Sequence, residues 1–83
     1  MKIFVVTMQN QDEFSDLLSV NGTEEGAKSF IDNFVSSEKP YHGAVWTRET
    51  PEKGSVHPEN WKHVHFTPYP WTHVYYEEKE LAD

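Results

Sequence analysis

A chain of 83 residues with 14 acidic and 7 basic side chains has room for one modest core and carries a formal net charge of −7, which argues against two domains and against nucleic acid or an anionic membrane as a direct ligand. Cysteine is absent, so disulfides, thiolate metal sites, iron–sulfur clusters and cysteine nucleophiles drop out together. The apolar run at residues 3–6 is far shorter than a signal-peptide core or a membrane span, which makes a cytoplasmic address the expectation.

Residues 2–8 (KIFVVTM) are β-branched and aromatic on both faces and predict a buried strand, ending in the polar stretch at 9–12. Residues 16–20 (DLLSV) predict a second strand, closed by the Asn21-Gly22 turn; the two suggest a hairpin with a long acidic loop. Thr23 followed by Glu24 and Glu25 predicts a helix start, since the hydroxyl can cap an orphan N–H and the carboxylates favour the positive end of the dipole. Ala27, Phe30, Ile31, Phe34 and Val35 then recur at helical period as one apolar stripe. Lys39 and Pro40 place the helix end near Ser36 or Ser37.

Residues 41–48 (YHGAVWTR) predict a third strand, interrupted at Gly43. Residues 49–60 read as a polar surface loop. Residues 61–67 (WKHVHFT) and 72–78 (THVYYEE) alternate as two more strands, joined by Pro68-Tyr69-Pro70-Trp71. The last three or four residues are expected to fray. The predicted fold is therefore α+β: one amphipathic helix on a mainly antiparallel sheet of four to five strands, in the order β-β-α-β-β-β, forming a single domain over 1–83.

Charge and aromaticity are unevenly placed. Asp12, Glu13, Asp16, Glu24 and Glu25 face no Lys or Arg between residues 12 and 25, and Glu77, Glu78, Glu80 and Asp83 outnumber Lys79 in the tail. The acidic segments could imitate the phosphate spacing of nucleic acid in a basic groove of another protein; a solvated acidic surface that keeps a small protein soluble is the plainer reading. Tyr41, Trp46, Trp61, Phe66, Tyr69, Trp71, Tyr75 and Tyr76 all follow the helix, more aromatic surface than a core beneath one helix needs. Trp61, Trp71, Tyr69 and Tyr75 are the aromatic residues expected to bind a partner, with Asp12, Glu13 and Asp16 as the acidic ones; Trp71, beside two prolines, is the one expected to be exposed. Core packing is the competing use of these rings.

His63 and His65 form His-x-His on a predicted strand, so both imidazoles leave one face at a spacing that can share a metal. His73 on the next strand is a third candidate, with His42 and His57 in reserve. Paired strand histidines are more often solvated or hydrogen-bonded than ligating, so no metal and no cofactor is the leading expectation. No serine lies in a Gly-x-Ser-x-Gly elbow, and Gly22, Gly26, Gly43 and Gly54 are too scattered for a phosphate loop; no catalytic residues are assigned.

The run Lys-Ile-Phe-Val-Val, then Leu-Leu-Ser-Val, then Thr-Glu-Glu-Gly-Ala-Lys before an amphipathic helix resembles the opening of small uncharacterised bacterial and phage proteins over residues 2–35. In size and charge the chain is similar to phage inhibitors of host defence or transcription, such as anti-CRISPR and anti-restriction proteins. The resemblance implies a non-enzymatic module that binds a host or cellular protein and blocks it sterically or electrostatically. A histidine-based metal protein or metal-dependent enzyme is the alternative, and a homo-oligomer, such as a homodimer built on its aromatic face, the third.

Overall fold

A computed structural model, describing residues 1–10, 15–38, 43–49, 60–68 and 71–81, has the predicted α+β order. Strands β1 (Lys2–Gln9) and β2 (Ser15–Asn21) precede helix α1 (Glu24–Ser37), and β3 (Thr47–Glu49), β4 (Lys62–Pro68) and β5 (Trp71–Glu80) follow it. The sheet runs β2-β1-β5-β4-β3, with every neighbouring pair antiparallel. β1 is thus an interior strand, as its two-sided hydrophobicity predicts. β5 extends past the predicted end because β1 continues to pair with it as far as Lys2 opposite Glu80.

The helix starts where the sequence places it: Thr23 is extended and its hydroxyl accepts a hydrogen bond from the Gly26 N–H at 3.1 Å. Lys28, one turn from Glu24 at 3.2 Å, holds the Glu24 carboxyl below its usual range chiefly through their hydrogen bond. At the other end the Glu38 N–H donates to the Phe34 carbonyl at 2.9 Å. Ala27 and Ile31, the centre of the apolar stripe, are fully buried against Phe4, Val6, Val74 and Tyr76, with Leu18, Phe30, Phe34 and Val35 at the margin. Leu18 reaches this core because the β2 register slips at its position, Val6 facing Ser19 while Thr7 faces Leu17.

The third strand departs from the sequence reading. Of the predicted 41–48 run, residues 41 and 42 lie outside the described residues, 43–46 are not in a strand, and β3 holds only Thr47–Glu49. Gly43 has φ +73°, and the Trp46 ring is drawn to the helix end, where its indole N–H donates to the Glu38 carbonyl at 2.8 Å and the ring packs edge to face with Phe34. With that ring anchored at the helix end, residues 43–46 lie outside the sheet. The predicted loops at 11–14 and 50–59 lie outside the described residues.

Ile31→Ala should lower unfolding free energy by roughly 2–5 kcal/mol, since the site is sealed on all sides, with a reduced urea midpoint and an unchanged denaturant slope. Tyr75 and Tyr76 have phenol pKa values pushed up to about 12, first by burial and then by Glu77 and Glu24 respectively. The folded state favours the neutral phenols, so stability is unchanged below the ordinary value of 10.0 and is lost as pH climbs towards 12. Phenolate absorbance recorded against a fluorescence unfolding curve should show both groups ionising late or with unfolding; complete ionisation near 10 in the folded protein would contradict their burial.

Candidate metal centre

β4 is not a regular strand where its histidines lie. Lys62 faces Tyr76 and His65 faces Val74, so His63 and Val64 together oppose Tyr75 in a bulge. His63 opens this bulge at φ 52° and is the non-glycine residue with positive φ among those described. Glycine is the usual occupant of such a position; histidine tolerates it better than most side chains, at a strain of about 1–2 kcal/mol. Within the bulge the His63 imidazole faces the helix, and its Nε2 lies 2.7 Å from Asp32 Oδ1. The His63 and His65 ring centroids are 5.1 Å apart.

One ligating atom each from Asp32, His63 and His65 can be chosen so that all lie within 4.8 Å of one another. His65 is buried and its Nδ1 lies 3.1 Å from the His63 carbonyl oxygen. A carbonyl only accepts, so Nδ1 carries the hydrogen and Nε2 keeps the lone pair, the tautomer and orientation by which metal-binding imidazoles are commonly held. Burial, and then the neighbouring His63 and Arg48 charges, push the His65 pKa down against the opposing pull of its hydrogen bond to His63. It is therefore neutral at pH 7 and able to donate its lone pair. Asp32 is exposed on the helix, one position past the buried Ile31 and so at the edge of the apolar stripe.

The third predicted histidine is elsewhere. Val74, not His73, opposes His65, and His73 opposes Phe66; alternation therefore sends His73 to the other side of the sheet, where it packs 4.7 Å from the Phe66 ring and 5.6 Å from Trp61. Asp32 takes the place expected of it. No spacing rule connects a helix residue to a strand residue 31 positions later, and the only local hint is an acid bordering an apolar helical stripe.

The aromatic candidates are on that outer face. Trp61 stacks on Tyr75 at 3.8 Å with an interplanar angle of 6°, and Trp71 meets Phe66 edge to face at 4.8 Å. Tyr75 is buried and Trp61 partly so, whereas Trp71 is 50% exposed. Asp16 is exposed on the edge strand β2, and Asp12, Glu13, Tyr69, His42 and His57 lie outside the described residues. The tail acids have nearby cations: Glu77 with Lys79, Glu78 with Lys2, and Glu80 with the N-terminal amine.

Comparison with known proteins returns no matching family model, curated protein or solved structure. Among the described residues no helix is long and apolar enough to cross a membrane.

The bulge can be tested apart from the imidazole. His63→Gly and His63→Val both remove the contact to Asp32, but only valine is strained at positive φ. His63→Val should be less stable than His63→Gly by about 1–2 kcal/mol in chemical denaturation; equal stabilities would mean that the bulge relaxes.

Proposed function

We propose that this protein is a metal-binding module that holds one divalent transition-metal ion on Asp32, His63 and His65. The carrying observation is the convergence of these three ligating atoms within 4.8 Å. It is supported by the strained backbone at which His63 is held and by the carbonyl contact that orients His65. Two imidazoles with one carboxylate suit zinc, iron, nickel or copper better than calcium or magnesium, which take oxygen ligands. Three protein ligands leave a position of a four-coordinate ion for another molecule. The activity proposed is binding, without turnover.

Metal content of untagged protein should be close to one ion per chain, and titration of the demetallated protein with Zn²⁺ should saturate at the same ratio. Asp32→Asn and His65→Ala should each weaken binding by roughly 10–100-fold or more, while His73→Ala, on the opposite sheet face, should leave it unchanged. Failure to bind Zn²⁺, Ni²⁺, Co²⁺ or Fe²⁺ stoichiometrically would overturn the reading.

A second reading, a non-enzymatic module that binds a host or cellular protein, is favoured by the outer sheet face. Trp71, Leu17 and Val20 are 50%, 65% and 56% exposed there. Large exposed apolar side chains on one face are commonly interaction surfaces. The paired tail acids favour the aromatic version of this reading over the acidic one. A partner retained by the immobilised protein should then be lost on Trp71→Ala and be insensitive to salt, whereas loss on charge reversal at Asp16 with strong salt dependence would favour the acidic surface.

A further inference from the structure

Beside the triad lies a cleft of about 570 Å³, within the range of small-molecule sites. His65 belongs to both: it lines the cleft and contributes a ligating atom to the triad. Val35, one helical turn beyond Asp32, forms another part of the wall. Arg48 is the register partner of His65 across β3 and β4, so the two side chains leave the same sheet face, and Arg48 lines the cleft as well. The remaining walls include Trp46 and Val45, with Glu38 as the acid among the described residues.

These features select one kind of ligand. Among the described residues, a divalent ion on Asp32, together with Arg48 and Glu38, leaves one positive charge in excess, which a single monoanion neutralises. A guanidinium matches a carboxylate in plane and spacing, and the aliphatic and indole walls exclude a fully hydrated inorganic ion as the best fit. We propose that the cleft binds a small organic monocarboxylate, its head shared between the metal ion and Arg48 and its apolar body lying against Trp46 and Val35. The assignment rests on the metal-binding reading above and adds the chemistry of the ligand that completes the site.

The test uses the full chain loaded with Co²⁺, whose visible absorption reports changes in coordination, and phenylacetate as the probe. Phenylacetate should change the Co²⁺ spectrum saturably, and more tightly than inorganic phosphate does. Arg48→Met should weaken phenylacetate by about tenfold or more, the loss expected for a charge-assisted hydrogen bond, while Co²⁺ affinity is retained. A Co²⁺-loaded protein whose spectrum ignores phenylacetate, or an Arg48→Met variant that binds it equally well, would overturn the carboxylate site and leave the metal centre standing. A response to phosphate as strong as that to phenylacetate would overturn the organic selectivity. If Co²⁺ itself fails to bind, the metal reading falls and the carboxylate site with it, a result read directly from the absence of the visible bands.

Discussion

One helix has to cover one face of a five-strand sheet, and it is too narrow to do so. Strands lie about 4.8 Å apart and a helix with its side chains is about 10 Å across, so a single helix seals only two or three strands. The buried contacts of Ala27 and Ile31 fall on Phe4 and Val6 of β1 and on Val74 and Tyr76 of β5. The β4 and β3 end of the same face is left beside the helix rather than beneath it. There the polar residues His63, His65 and Arg48 collect, along with the cleft walled by Val35 and Trp46. The candidate site is thus a consequence of incomplete cover, formed where the apolar core stops and backbone geometry still holds side chains in place.

Two devices use that edge. The bulge at His63 and Val64 breaks the regular pairing of β4, and His63 within it meets the helix through Asp32. Trp46 closes the other end, bridging from the strand side to the last helical turn through the Glu38 carbonyl and the Phe34 ring. Both tie β4 and its neighbour to α1, and both shape the space between them. The strain at His63 is local and small against the burial of the Ile31 cluster, which is why the fold can carry it.

Among the described residues the opposite sheet face has no helix and is covered by aromatic rings from the sheet itself and its margins. Trp61 lies flat on Tyr75, and His73, Phe66 and Trp71 continue the contacts along β4 and β5. A cysteine-free chain of this size needs such area to supplement its core. The cover thins outward, leaving Trp71 half exposed, and Leu17 and Val20 open on the far strand. Burial divides these rings by position: Tyr75 is buried, and Trp71 is half exposed.

Much of the fold was legible in the residues because it follows from local patterns. The Thr23 cap, the apolar stripe through Ala27 and Ile31, and the alternation of the later strands are set by hydrogen-bonding needs and side-chain period, which act over a few neighbours. His63 and His65 were visible as a pair for the same reason. The bulge, the short third strand and the partner Asp32 were not, because each depends on which distant segment lies alongside. His73 shows the limit most clearly: its residue type and spacing fit a third ligand, but the register between β4 and β5 sends it to the other face, and a one-residue difference in register reverses every side chain on a strand. The sequence by itself determined the helix and most of the strands with their buried faces; only the tertiary structure decided the third strand and which side chains meet, because pairing register and the narrowness of one helix are properties of the assembled sheet.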